Sequence, residues 1–145
     1  MSKLNDVFNK LGDKALNSEL LQRHAAVLTR SGYRPAMSLN NVNHYTECHY
    51  SVDKPSMHAE KVALTKFRRY YQSRDSNDAK IRRKLKKTSM LIARVNQSSE
   101  TDKHIFRNSA PCYHCLALIK DYGVRKVVFS TDYGEPQCQK GESIK

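Results

Sequence analysis

The chain has 145 residues, with 26 Lys and Arg against 14 Asp and Glu, a formal net charge of +12 and no tryptophan. That length predicts one domain over residues 1–145, large enough to bury about two-thirds of its unfolded surface. No stretch reaches the roughly eighteen apolar residues of a membrane span, and the N-terminus has no signal-peptide apolar core. A cytoplasmic, intracellular protein is therefore expected, the nucleus included.

Leu4, Val7, Phe8 and Leu11 alternate with Lys3, Asp6, Lys10 and Asp13 at helical spacing, predicting an amphipathic helix over 2–21, bent near Gly12. Residues 25–29, the turn Ser31-Gly32 and residues 34–39 read as a β-hairpin. Residues 40–56, with Asn40, Asn41, Asn43, His44 and His49, read as a polar loop bordering a site. Pro55-Ser56 starts the next helix, with Ser56 or Met57 at its N-cap. Ala59, Val62, Ala63, Phe67, Tyr70 and Tyr71 give that helix a buried stripe, and residues 73–79 form a polar connection. The near-continuous apolar run 89–95 suits the centre of a sheet. Pro111 fits the first position of another helix, whose apolar residues include Leu116, Leu118 and Ile119 and which Gly123 ends. Residues 124–130 make a strand, and a turn at 131–134 leads to a last short strand at 135–139. The order α-β-β-α-β-α-β-β predicts an α/β sandwich.

Two strings carry chemistry: His58-Ala59-Glu60 and Pro111-Cys112-Tyr113-His114-Cys115. Cys112 and Cys115 are three apart, so at a helix start their thiols share one face, and the helix N-terminus favours the thiolate. His58 and Glu60 are two apart, roughly 200° on a regular helix, so both can face one metal only at a helix N-terminus. A structural zinc site closes its shell with four protein ligands, whereas a catalytic one leaves a position for water. Three ligands plus one free acid therefore point to a hydrolytic zinc site with Glu60 as the proton carrier. Two other readings stay open. Cys-x-x-Cys can be redox-active, and Cys48, His44, His49 or His114 could close a structural zinc shell. Cys48 and Cys138 otherwise read as buried or incidental thiols.

The charge is concentrated. Segment 61–94 holds twelve Lys and Arg against Asp75 and Asp78, and six of the eight residues 80–87 are basic. Such a block suits an anionic partner: phosphate, nucleotide or polynucleotide. A solvated helix end or loop is the plainer reading of 80–87.

H-x-E followed by P-C-x-x-C is the signature of the zinc deaminases, and with both parts present the chain resembles the cytidine deaminase superfamily. Residues 23–28 are similar to that family's first strand, 38–40 to the strand end before its substrate loop, and 107–110 to the approach to its second motif. The resemblance implies a three-layer α/β/α sandwich with a mixed five-stranded sheet. It implies Zn2+ held by His58, Cys112 and Cys115, with Glu60 catalytic. Substrate contacts are implied for Asn40, Ala59, Ser109 and Ala110, with Asn41 or Asn43 replacing Asn40 if the loop register shifts. The reaction so implied is hydrolytic deamination of a cytosine nucleoside or nucleotide by attack of zinc-activated hydroxide at C4. The alternatives are a base deaminase acting on RNA or single-stranded DNA through segment 61–94, and an inactive nucleic-acid-binding zinc protein. A homo-oligomer is compatible with this reading; a membrane partner is not expected. The chain departs from the family in three places, one being that Ser38-Leu39 replaces the Gly expected before Asn40. Ala110 precedes Pro111 and tryptophan is missing, so the Ser-Trp-Ser-Pro-Cys pattern of the polynucleotide-editing cytidine deaminases is absent. The expected antiparallel ending resembles the small nucleoside deaminases, which carry Cys where this chain has His58.

Overall fold

A strand covered on both faces needs apolar side chains at successive positions, and residues 89–95 supply them. In the computed structural model, which describes residues 3–18, 23–36, 41–45, 56–74, 77–97, 104–131 and 137–140, this run lies in β5 (Ser89–Gln97) at the middle of the sheet. β1 (Arg23–Arg30) pairs antiparallel with β5, from Thr29 opposite Ser89 to Arg23 opposite Val95. β7 (Lys126–Phe129) pairs parallel on the other side, up to Phe129 opposite Ile92. β2 (Arg34–Pro35) borders β1 and β8 (Gln137–Lys140) borders β7, both antiparallel, so the sheet is mixed and runs β2-β1-β5-β7-β8. β6 (His104–Arg107) pairs with residues 94–97 of β5, beyond the last β7 partner; with β1 on the opposite side, β6 takes over the lane that β7 leaves. A separate pair joins β3 (His44–Tyr45) to β4 (Ser56–Met57).

Side chains alternate across a strand, and that alternation divides the core into two layers. Ala26, Leu28, Met90, Ile92 and Val127 face α2 (Ala59–Gln72), α3 (Asp78–Leu85) and α4 (Tyr113–Tyr122), packing with Phe67, Ile81, Leu85 and Ile119. Ala25, Val27, Leu91, Ala93, Val95 and Val128 face α1 (Lys3–Ala15), meeting Val7, Phe8 and Leu11. The Phe8 ring stands edge-on to Phe106 at 6.2 Å. Each such fully buried large apolar side chain contributes roughly 1.5–3 kcal/mol. The result is the expected α/β/α arrangement, in which α1 is the one helix on its face among the described residues. No helix among the described residues is long and apolar enough to cross a membrane.

Several element boundaries differ from the sequence expectation, each for a local reason. α1 runs unbroken through Gly12, which is buried within it, and stops at Ala15. The hairpin turn is a 3-10 turn over Ser31–Tyr33, with Gly32 at φ 73 and Tyr33 at φ 57; β2 is short, and residues 37–40 lie outside the described residues. The stretch read as a polar connection contains the start of α3. Asn77 caps it, its side-chain oxygen accepting the Lys80 N–H at 2.9 Å, while Ile81 and Leu85, one turn apart, bury a narrow stripe. α2 begins at Ala59 with His58 as N-cap, because Ser56 and Met57 are paired in β4. α4 begins at Tyr113 with Cys112 as N-cap, placing Pro111 before the cap; Gly123 ends it in the left-handed region at φ 84, as expected. Tyr70 leaves the buried stripe: it is 40% exposed, its ring against Arg74 at 4.6 Å and Tyr71 at 5.0 Å. β6 has no counterpart among the expected elements; β8 covers Gln137–Lys140 of the expected last strand, whose residues 135–136 lie outside the described residues.

Candidate metal centre

The two motifs meet because two helices begin at the same place. His58 is the N-cap of α2 (φ −72, ψ 150) and Cys112 the N-cap of α4 (φ −69, ψ 168), and the helices pack against each other. An extended N-cap residue does not follow the 100° helical step, and this resolves the angular conflict between His58 and Glu60. Neither side chain caps its own helix, so both remain available to the cluster. Cys115 joins them from the first turn of α4.

The ligand atoms of His58, Cys112 and Cys115 lie within 4.8 Å of one another. His58 Nδ1 is 3.2 Å from Cys115 Sγ and 3.7 Å from Cys112 Sγ. A tetrahedral zinc ion with ordinary Zn–N and Zn–S bonds requires N···S edges of about 3.5 Å, so the spacing fits. The site is layered: Cys115 and Glu60 are 5% and 4% exposed and form its floor, while His58 and Cys112 are exposed at its mouth.

Electrostatics give a second test of fit. The Cys115 thiol is pushed well above the ordinary thiol range, first by burial, then by the Glu60 carboxylate and by Cys112. The helix N-termini favour a thiolate by on the order of 1 kcal/mol, less than one pKa unit, which does not offset that push. A divalent cation reverses the balance, since a coordinating thiol is deprotonated outright. Two sulfurs and an imidazole in tetrahedral spacing are a zinc donor set, and Zn2+ is the cofactor these residues fit.

The remaining expected site residues fall into distinct places. Ala59 is buried as the first residue of α2. Ala110 is exposed, and its N–H donates to Asn108 Oδ1 at 2.9 Å. Asn40 lies outside the described residues. Of its alternatives, Asn41 donates to the Ala26 carbonyl at 2.9 Å and Asn43 accepts the His24 N–H at 2.9 Å, so both amides bond to the β1 backbone.

Ser109 is 2% exposed, with its hydroxyl donating to the Ile92 carbonyl at 2.8 Å and accepting the Ser130 N–H at 2.8 Å. Ser130 in turn donates to the Arg107 carbonyl at 2.6 Å and accepts the Arg94 N–H at 3.1 Å. This knot bridges the gap where β7 gives way to β6, and it holds the approach to Pro111 and Cys112 off the carboxyl ends of the parallel strands, where open α/β sheets place their ligands. Sequence alone does not reveal Ser130, because nothing local marks a serine that closes a gap between strands distant in the chain.

Among the described residues no fourth His, Cys, Asp or Glu ligand completes the cluster, and His114 is exposed against the Tyr113 ring. Side chains of His44, Cys48 and His49 lie outside the described residues. Cys112 and Cys115 are both free thiols, and His58 sits between them, which a redox pair does not require. Tyr113, between the two cysteines, is 75% exposed. Its sequence gives no sign of this, because aromatic residues in helices are usually core.

The sequence model of the cytidine and deoxycytidylate deaminase zinc-binding region matches residues 8–131. No curated protein and no solved structure matches the chain significantly. The match spans both motifs, β1 to β7 and all three helices of the metal-side layer, so this chain belongs to the cytidine and deoxycytidylate deaminase zinc-binding family.

Proposed function

We propose that the protein hydrolytically deaminates a cytosine-bearing nucleoside or nucleotide, converting cytosine to uracil with release of ammonia. The observation that carries this reading is the buried Glu60 carboxylate beside a cluster of three ligands rather than four. Zinc bound there supplies a Lewis acid that brings the ionisation of water near neutral pH. Glu60 takes the proton that water loses, delivers it to the ring nitrogen next to C4, and assists departure of the amino group as ammonia. The C–O bond forms at C4 first; the new hydroxyl then gives its remaining proton, through Glu60, to the amino nitrogen, and the C–N bond breaks to leave the C4 carbonyl of uracil and ammonia. The floor position of Glu60, closed to bulk solvent, suits two successive proton transfers from the attacking oxygen to nitrogen. His58, Cys112 and Cys115 hold the metal; Ser109 and Ser130 hold the segment that carries Cys112.

A second substrate reading, a base within RNA or single-stranded DNA, is favoured by the +12 net charge. Ammonia release measured over cytosine and adenine nucleosides, their mono- and triphosphates, and short oligonucleotides separates the two. Turnover of the free cytosine compounds supports the first reading; turnover of oligonucleotides alone replaces it with the second.

A further inference from the structure

Lys84 lies over the Tyr71 ring at 4.8 Å, and the Arg30 guanidinium donates to the Tyr71 hydroxyl at 3.2 Å. Two cations are thus positioned by one aromatic side chain instead of by a carboxylate. They line a groove of about 480 Å3 together with Arg34, Arg83 and Lys87. Among the described residues, neither Asp nor Glu lines it. Acids belong instead to a neighbouring hollow, where Asp78 pairs with Arg68 at 3.5 Å and Asp121 lies beside Arg82. Five cations around an uncompensated hollow repel one another and raise the local positive potential.

At the groove end of the sheet, β2 and β1 present Arg34 opposite Arg30, and Lys87 precedes β5. Lys126, at the start of β7, belongs to the opposite face, where its ammonium donates to the Tyr33 hydroxyl at 3.1 Å. The metal centre is elsewhere: Tyr71 lies about 16 Å along α2 from Glu60, toward the helix's other end.

We propose that this groove is a second anion site that binds the phosphodiester backbone of a single nucleic-acid strand. Five cations around one groove, with no acid to offset them, exceed what one phosphate neutralises and favour a chain of phosphates over one mononucleotide. The half-buried Tyr71 ring in the groove adds aromatic surface of the kind that unpaired bases contact, with Phe67 buried behind it. The site is separate from the metal centre and stands whether or not the strand is also the molecule deaminated.

The test is fluorescence anisotropy of a labelled single-stranded oligonucleotide, titrated at several salt concentrations. Counterion release from five phosphate contacts gives a slope of log K against log salt of about −3.5. The triple variant Arg83→Ala, Lys84→Ala, Lys87→Ala removes three exposed cations and brings the slope to about −1.4. Its affinity falls on the order of tenfold or more, while its zinc content and circular dichroism stay those of the parent. Lys3→Ala, Lys10→Ala, Lys14→Ala, on α1 across the sheet, removes the same charge and leaves the slope near its parental value. Equal losses in the two triple variants would reduce the effect to net charge and overturn the site. Displacement of the strand by inorganic triphosphate at equal phosphate concentration would assign the groove to a small polyphosphate and overturn the strand. Both readouts are binding, so the groove is tested even in a protein that releases no ammonia.

Discussion

At the scale of single residues, the metal centre depends on an opposition between a buried thiol and its surroundings. Cys115 keeps its proton in the metal-free fold because burial, Glu60 and Cys112 all act against the thiolate. In the unfolded chain the same thiol ionises near its ordinary value of about 8.5. Above that pH the unfolded state therefore binds fewer protons than the folded one, and stability falls as pH rises. Metal-free protein should lose urea resistance between neutral and alkaline pH, and zinc-loaded protein should not, because its thiols are already deprotonated. An identical pH dependence with and without chelator would contradict the assignment of Cys115 as a ligand. His58→Ala removes the imidazole that faces both sulfurs. Zinc per chain, measured on purified protein, should drop from stoichiometric to a small fraction, and full retention would exclude His58 as a ligand.

At the scale of elements, what the sequence makes legible is what local chemistry writes into it. β5 is readable because its apolar run is continuous, and α4 has a readable end because Gly123 takes a left-handed φ of 84. α3 is hidden because its buried side consists of Ile81 and Leu85 alone among Lys and Arg, and its cap, Asn77, looks like any loop asparagine. β6 is hidden because its partner residues on β5 lie beyond the part covered by β7, a fact of the sheet and not of the segment. The His58, Cys112, Cys115 cluster is legible because ligand type and spacing are fixed by the metal. Ser109 is legible only as a position. It is buried, and its hydroxyl bonds to Ile92 and Ser130, partners that its own stretch of sequence does not announce. Two substitutions separate ordinary element stability from support of the site. Asn77→Ala deletes the α3 cap and should cost about 1 kcal/mol, with ammonia release unchanged. Ser109→Ala removes one of the two acceptors of the buried Ser130 N–H, which keeps the Ile92 carbonyl, and should cost about 0.5–1.5 kcal/mol. It should also lower zinc affinity, since the segment carrying Cys112 loosens; chemical denaturation and a competitive zinc chelator read the two effects. Equal zinc affinity in the two variants would deny the knot a role in the site.

At the scale of the whole molecule, the sheet separates two chemistries. One end carries the metal centre off the carboxyl ends of β5 and β7, with Glu60 and Cys115 shielded from water. The other end carries Arg30, Arg34, Lys87 and Lys126, with Lys140 at the same end of the register. α2 connects them, its N-cap in the metal cluster and Tyr71 in the groove. Segment charge alone locates the basic block but not its geometry, because Arg30 and Arg34 reach the groove from strands far from residues 80–87 in sequence. Everything proposed for the metal end runs through one carboxylate beside three ligands. Replacing that carboxylate isolates the dependence: ammonia release by zinc-loaded Glu60→Gln is compared with that of the zinc-loaded parent. Equal zinc content in both proteins and a loss of rate of about 10²–10⁴-fold in the variant are expected. An unchanged rate of ammonia release from every substrate that the parent turns over would remove Glu60 from the chemistry, and the proposed reaction with it.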